Sequence, residues 1–550
     1  MTNLLSFVVL VGVLIFVHEL GHFLFLKLFD VKVLRFSLGF GPRLFAVRGG
    51  ETEYQIAWMP LGGYVKMLGE DPRDSVGPED AGRAFHEKPL WQRVIAIFAG
   101  PAFNLILPVP IYFLFFAGQT ELAPARIGTV LRGTPADRAG LEPGDRVVAV
   151  DGDDVRYWDE LQSRIAASPG RELVLEVERD QKTHVRKVTP EAQVLRGRLG
   201  LTERVGRIGI SPRYYLPQIG ISDAASPAAR AGLRTGDRIT ALNGARVRRW
   251  SDVERVLERN RGEPLRVAYL RARQVLDVVD VQVHEPGTAL VVPEPAPPQD
   301  GTATRRFEAG IESAEFFVHE VEPGSPAAVA GLRPGDRITK RDGQPLRHWE
   351  MLLLALEERQ HRPMRIAWVP FGGDEREAIV RQVAKVVRDE YGQEKTRWLF
   401  GASPRLLWES EPPAVIEGRF GYALGQALGK TAEAIQVTAL GFVQLVRGKI
   451  PRETVGGPIM IYYAAGVAAR KGWDHYLWML AIISVNLGLI NLLPIPILDG
   501  GALLFLGIEV ARQRPIATRV REISQIAGIV LLLGLMIFAL TNDVVRYWLK

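Results

Sequence analysis

Four stretches of this chain are long and apolar enough to cross a lipid bilayer, and they leave few folds open. They run from about Leu4 to Leu28, Val94 to Ala117, Tyr476 to Leu493 and Ile523 to Leu540. Each approaches the ~20 residues that span the hydrocarbon core. In lipid every backbone N–H and C=O must find its partner within the protein, so such segments become helices. The first has no basic residues before it and no small-residue cleavage site, and it continues into "VHELGH". It reads as a retained span rather than a removed signal peptide. A fifth stretch, Phe420 to Val446, carries Lys430 and Glu433 and reads as an amphipathic helix on or beside the membrane.

Basic residues set the expected orientation. Arg512, Arg514, Arg519 and Arg521 lie between the third and fourth stretches, and Lys32, Arg35, Arg43, Arg48 and Lys66 between the first and second. The positive-inside rule puts both connections in the cytoplasm. Both chain ends, and the long stretch from about 119 to 475, then fall outside. With a net charge of +6 and no long basic run, a nucleic-acid partner is not expected. The chain has no cysteine, so disulfides and thiolate-bound metals are excluded.

The long stretch holds an internal repeat: "TPADRAGLEPGDRVVAVDGDDVRYW" (134–158), "SPAARAGLRTGDRITALNGARVRRW" (226–250) and "SPAAVAGLRPGDRITKRDGQPLRHW" (325–349). The copies align without gaps and share P-A, A-G-L, G-D-R, a later Gly and a final Trp. A small-residue turn leads into a short helix, Gly-Asp opens a strand, and Asn/Asp-Gly makes a turn. Each copy is followed by a helical segment such as "SDVERVLERN". The pattern resembles the PDZ domain in the variant common in bacterial proteases. "PGTALVVPEPAPPQDG" (286–301) reads as a Pro-rich linker between the second and third units.

The chemistry starts at His18, Glu19 and His22. Residues four apart on a helix share a face, so both imidazoles can reach one ion, with the carboxylate beside them placed to take a proton from water. His18 lies ~21 Å along the helix from Leu4, which is inside the hydrocarbon toward its cytoplasmic end. An unpaired carboxylate there costs ~2.5–3.5 kcal/mol or more. The bland alternative is a polar patch facing a neighbouring helix. His86, His284 and His319 also precede Glu but have no partner four residues on, and read as solvated surface.

A catalytic zinc needs a third protein ligand and an open position. "NLLPIPILDGG" offers Asp499, after prolines that break the helix and leave irregular backbone, tolerated at membrane depth only where it is buried in protein or lines a wet cavity. The bland alternative is that Asp499 caps the next helix.

HELGH in the first span, "NLLPIPILDGG" after a later one, and PDZ-like units between them resemble the site-2 protease family of intramembrane zinc metalloproteases. The likeness extends to "GFGP", "LGGYVKMLGE", "FAGPAFN", "VGGPIMI" and "SVNLGLINLL", and covers nearly the whole chain. It implies zinc (Zn2+) held by His18, His22 and Asp499, with Glu19 as general base. Asn486 and Asn491 match asparagines that contact the substrate or order the site. Gly62, Gly63, Tyr64 and Val65 match an edge strand that clamps an extended substrate. The implied substrate is a single-span membrane protein, such as an anti-sigma factor already shortened outside the membrane, and the PDZ-like units would take peptide termini. Family members of this kind usually carry two PDZ units, and this chain shows three.

The expected fold is a polytopic α-helical membrane protein with four transmembrane helices, a small membrane-associated β-sheet (about 36–68) and tandem extracytoplasmic PDZ-like α+β domains, in a bacterial cytoplasmic (inner) membrane. The expected divisions are a first membrane half (1–118), PDZ-like units at 119–200, 201–288 and 303–390 with the linker at 289–302, a connecting and amphipathic region (391–475), and a second membrane half (476–550). Competing readings are a non-catalytic PDZ scaffold, a soluble-type zincin on an anchor, and a family member that cuts signal-peptide remnants.

Overall fold

A computed structural model describes residues 2–70, 76–196, 202–274, 282–295, 307–359, 362–388, 394–514 and 516–549. The chain forms two compact units. One joins residues 1–120, 388–393 and 416–550, and the other joins 121–387 and 394–415.

The first unit opens with α1 (Thr2–Leu28), mostly apolar but carrying His18, Glu19, His22 and Lys27 in its second half. Strands β1 (Val33–Gly49) and β2 (Thr52–Met67) follow as an antiparallel pair. The pairing doubles back. Phe36 faces both Tyr54 and Val65, and Ser37 faces both Gln55 and Tyr64. The start of β1 is therefore flanked on both sides by β2, and Gly63 to Met67 form an outer edge. Gly62 makes the bend possible with a φ of 112°, a region side chains avoid. Next come α2 (Leu90–Ile106) and α3 (Pro108–Gly118), with Pro108 at the first position of α3.

The second unit repeats one plan three times. Each repeat has a short helix, then a longer one: α4 (Pro135–Arg138) and α5 (Trp158–Ala166), α6 (Pro227–Arg230) and α7 (Trp250–Arg259), α8 (Pro326–Ala330) and α9 (Trp349–Arg359). Each has a four-stranded antiparallel sheet in the spatial order second, first, third, fourth. In each, the Asp of Gly-Asp-Arg is buried and accepts the N–H three residues upstream: Asp145 from Glu142, Asp237 from Arg234, Asp336 from Arg333. This turn explains why that triplet recurs.

The repeat boundaries differ from the expected ones. Ile210–Ser211 pairs with Thr129–Val130, Glu312–Ser313 with Ile219–Gly220, and Ala402–Pro404 with Val318–Val321. A late strand thus closes each repeat, and Ile208, Ala309 with Ile311, and Phe400 join the three cores. The segment assigned to a linker at 289–302 is a correction. Ala289 to Val291 finish the strand Gln282–Val291, Glu294–Pro295 pairs with Phe307–Glu308, and the second repeat ends only at Glu312–Ser313. The Pro-rich stretch is an excursion within that repeat, and residues 296–302 lie outside the described residues.

The chain returns to the first unit through α10 (Arg419–Val446), α11 (Pro458–Lys471), α12 (Trp473–Asn491), α13 (Asp499–Arg512) and α14 (Thr518–Val544). Among the described residues, four helical stretches are long and apolar enough to cross a membrane: Asn3–Leu28, Leu90–Gly118, Trp473–Asn491 and Arg519–Trp548. They coincide with the four expected spans. Leu10, Leu14, Tyr112, Ala427, Tyr476 and Leu480 pack a shared core from α1, α3, α10 and α12.

Candidate active site

Close helix packing builds the site. Gly21 on α1 lies against the backbone of α2, where a β-carbon would stand 2.4 Å from the Ala99 carbonyl oxygen. Small residues let helices approach this closely in lipid. Gly100 answers from α2, leaving room for the His22 ring. On the other side Gly63 of β2 fits beside Ile15 and Glu19, where a β-carbon would meet the Ser37 carbonyl oxygen at 2.8 Å.

Asp499 arrives from the far end of the sequence. After α12 the chain turns through Leu492 to Leu498, with Ile495 N–H bonding Leu493 C=O at 2.7 Å and Leu498 N–H bonding Ile495 C=O at 2.9 Å. Asp499 begins α13, favourable for an anion at a helix N-terminus. Gly500 and Gly501 pack on the turn, where β-carbons would lie 2.3 Å and 2.2 Å from the carbonyl oxygens of Leu493 and Ile495. Leu498 stands at the N-cap and no side chain caps α13, so the bland capping reading of Asp499 does not hold, and its carboxylate turns to the histidines instead.

The three candidate ligands meet. Asp499 Oδ2 is 3.2 Å from His18 Nε2 and 3.5 Å from His22 Nε2, and the two ring nitrogens are 3.3 Å apart. A tetrahedral ion with bonds of ~2.0–2.1 Å holds its ligand atoms about 3.3–3.4 Å apart. The triangle has that edge, and two imidazoles with one carboxylate are a donor set zinc accepts. Among the described residues this is the one such cluster of three.

Outer partners orient the rings. His22 Nδ1 lies 2.9 Å from the Ala96 carbonyl oxygen and donates to it, which frees Nε2. His18 Nδ1 lies 3.2 Å from the side-chain amide of Asn104, a fully buried residue whose Oδ1 has no partner. With its amide oxygen turned toward the ring, Asn104 accepts from His18 Nδ1–H. Ser484 Oγ on α12 holds the Asn104 carbonyl at 2.7 Å.

Glu19 is buried on the wall of a cavity of about 600 Å³ that also contains His18, His22 and Asp499. Gly63, Tyr64, Val65 and Asn491 line it too, with the Asn491 amide nitrogen 3.4 Å from both nitrogens of His18. Gly62 sits at the bend before this strand. Asn486 is half-buried on α12 and is not among the lining residues. Toward one end the wall becomes charged, with Glu70, Arg521 and the Arg93–Glu509 pair at 3.0 Å. His86 is there too, half-buried with Nδ1 3.1 Å from the Gly69 carbonyl oxygen. It was expected on solvated surface, whereas His284 and His319 are exposed. Asn104 and His86 were missed as site residues; "FAGPAFN" was the one available pointer to Asn104.

Comparison with known proteins decides the family. The sequence model of peptidase family M50 matches residues 6–535. This chain belongs to peptidase family M50. M50 membership makes it a metalloprotease, and its four apolar spans make it a membrane protein. Regulator of sigma-E protease RseP of Escherichia coli (strain K12) is 30% identical over 548 residues, covering 99% of this chain and 98% of that protein. RseP of Salmonella typhimurium (strain 14028s / SGSC 2262) is 31% identical over 549 residues, with the same coverage. A Neisseria meningitidis relative, 30% identical over 99% of both chains, is provisionally named a zinc metalloprotease. Among solved structures, a PDZ domain of an SdrC-like protein from Listeria monocytogenes aligns with 17% of this chain and 90% of its own at 18% identity, with a TM-score of 0.14.

Proposed function

We propose that this M50 peptidase is a zinc-dependent intramembrane endopeptidase of the site-2 type, cutting a peptide bond within or near the transmembrane segment of another membrane protein. The convergence of His18, His22 and Asp499 beside apolar spans carries the reading. Those three side chains would hold the ion, which when bound polarises a carbonyl and makes water nucleophilic near neutral pH.

The remaining steps belong to the chain's own residues. Glu19 takes the proton from the attacking water and passes it to the leaving amine. A transmembrane substrate must unwind first, because its peptide groups are bonded within its own helix. The outer edge of β2 at Gly62 to Val65 offers replacement bonds by strand addition. Asn491 holds the unwound segment or the developing oxyanion, and Asn486, off the cavity wall, would order the site. The charged end of the cavity supports entry of water from the cytoplasmic side.

The repeats read as three PDZ-like domains on the extracytoplasmic side of a bacterial cytoplasmic membrane, with both termini on that side and the active site toward the cytoplasm. They would admit or bind the ends of a substrate. Relatives named regulators of sigma-E protease favour an anti-sigma-factor-like substrate; a first cleavage of it outside the membrane is part of this proposal. Purified protein in detergent should cleave a single-span model substrate, and Glu19→Gln should abolish cleavage while retaining metal. No cleavage by the wild type would leave the scaffold reading standing, and equal cleavage by Glu19→Gln would remove Glu19 from the role of base.

A further inference from the structure

A second cavity, of about 540 Å³, lies inside the three-repeat unit. Its walls come from all three copies: Arg132 and Gly133 from the first, Trp250 and Glu254 from the second, Arg347 and His348 from the third. Along the second repeat it opens between the closing strand Glu312–Ser313 and the first turns of α7. We infer that this cavity is a binding site for a basic side chain of an extended peptide, and that Arg132 occupies part of it as an internal stand-in.

The guanidinium of Arg132 crosses from the first repeat to the second and donates to Glu254 at 2.5 Å and Glu258 at 2.9 Å. What sits there now is cationic, so what replaces it must be cationic. The contact is also easy to displace. The Arg132, Glu254 and Glu258 side chains are 55%, 36% and 62% exposed, and exposed ion pairs contribute little.

The deeper wall points to the same chemistry. Glu315 is 3% exposed. Its carboxylate accepts from the Trp349 backbone N–H at 3.4 Å and lies 3.5 Å from His348 Nδ1. His348 Nε2 accepts the Arg132 backbone N–H at 2.8 Å, so the ring is neutral and gives Glu315 no full positive charge. His348 is 8% exposed and its Nδ1 has no hydrogen-bond partner. Burial pushes the Glu254 carboxyl above its ordinary value, and Arg132 is the cation that opposes the shift. Of the other charged lining residues, Arg249 pairs with Glu411 and lies 4.7 Å over Tyr214, Glu312 pairs with Arg337 at 2.5 Å, Asp137 accepts the Gly133 N–H at 2.7 Å, and Arg347 packs against Gly133 on the cavity wall. Tyr214, Tyr215, Trp250 and Phe316 supply aromatic surface, which suits an alkyl stem ending in a cation.

The test uses the full chain in detergent and reads binding without cleavage, so its outcome is independent of the proteolytic reading. The probes are short alanine peptides, acetylated and amidated, with Lys, norleucine or Glu at the centre; Trp250 fluorescence or calorimetry reports binding. The lysine peptide should bind and the other two should not. Arg132→Ala should tighten lysine-peptide binding roughly two- to fivefold by removing the competitor. Glu315→Gln, which keeps an acceptor for Trp349 N–H, should weaken it about tenfold or more. Binding of the norleucine or Glu peptide as tight as that of the lysine peptide, no binding at all, or no tightening in Arg132→Ala with the melting temperature unchanged would overturn the inference.

Discussion

His22 occupies the space that a side chain on Gly100 would need: a β-carbon there would stand 2.2 Å from Nε2, the atom facing Asp499. The ring cannot shift without losing its place in the ligand triangle or its bond to Ala96. Gly100→Ala should weaken zinc binding about 10–100-fold or more. Ala is the better helix former by ~1 kcal/mol, so the fold should persist. Metal titration beside a thermal melt checks both statements. Unchanged affinity would mean that His22 is not a ligand in this pose.

Asn104 should matter nearly as much as a ligand. It is fully buried, sits 3.2 Å from His18 Nδ1 and, with Asn491 at 3.4 Å, fixes the ring that faces Asp499. Asn104→Leu should weaken metal affinity about 10–100-fold, measured by chelator competition. Asn104→Asp, which keeps an acceptor, should retain more affinity than Leu.

At the far end of the last span Asp543, beside Asn542 and Arg546, ties the helix to the start of α11. Asp543 is fully buried and accepts the backbone N–H groups of Gly457, Ile459 and Met460, each at 3.0 Å. It caps α11 from a distant part of the sequence. Asp543→Ala should cost ~2–4 kcal/mol, because several buried donors lose their acceptor together. Asp543→Asn should cost less. Thermal unfolding in detergent separates the two variants.

The repeats should differ in their response to pH. Asp145 is bonded by Arg179 at 2.7 Å and Asp237 by Arg271 at 2.8 Å. Burial raises the Asp336 carboxyl above its ordinary value, with the Arg333 N–H, Arg376 and Arg333 only partly opposing it. An acid raised in the fold binds its proton more tightly folded than unfolded. Its contribution is complete below the unfolded value and is lost as pH rises through the raised one. The third repeat should therefore lose stability over that interval. Asp336→Asn should raise its melting temperature at neutral pH and give no gain near pH ~4. Hydrogen exchange resolved by repeat is the readout.

Most of what was legible in the sequence is local. HELGH needs only one helical turn to bring His18 and His22 together, and the spans need only length and apolarity. Asp499 was reachable because its prolines and glycines mark an irregular turn on a second span. What was missed depends on distant pairing. The strand Glu312–Ser313 is two residues long and gains its meaning only against Ile219–Gly220, so the Pro-rich stretch before it passed for a linker. Asn104 looks like any polar residue on an apolar helix until His18 is placed beside it. Asn486 and Asn491 are five residues apart on one helix and so point in different directions; only Asn491 lines the cavity.

The central claim is that one divalent ion is held jointly by the first helix and the segment after Asn491. Zinc content of the purified wild type and of Asp499→Ala, measured side by side, tests it most directly. The account predicts about one equivalent per chain in the wild type and a large loss in the variant, since only two of the ~3 protein ligands of a catalytic site remain. Equal zinc in both proteins, or cleavage by wild type stripped of metal, would contradict it.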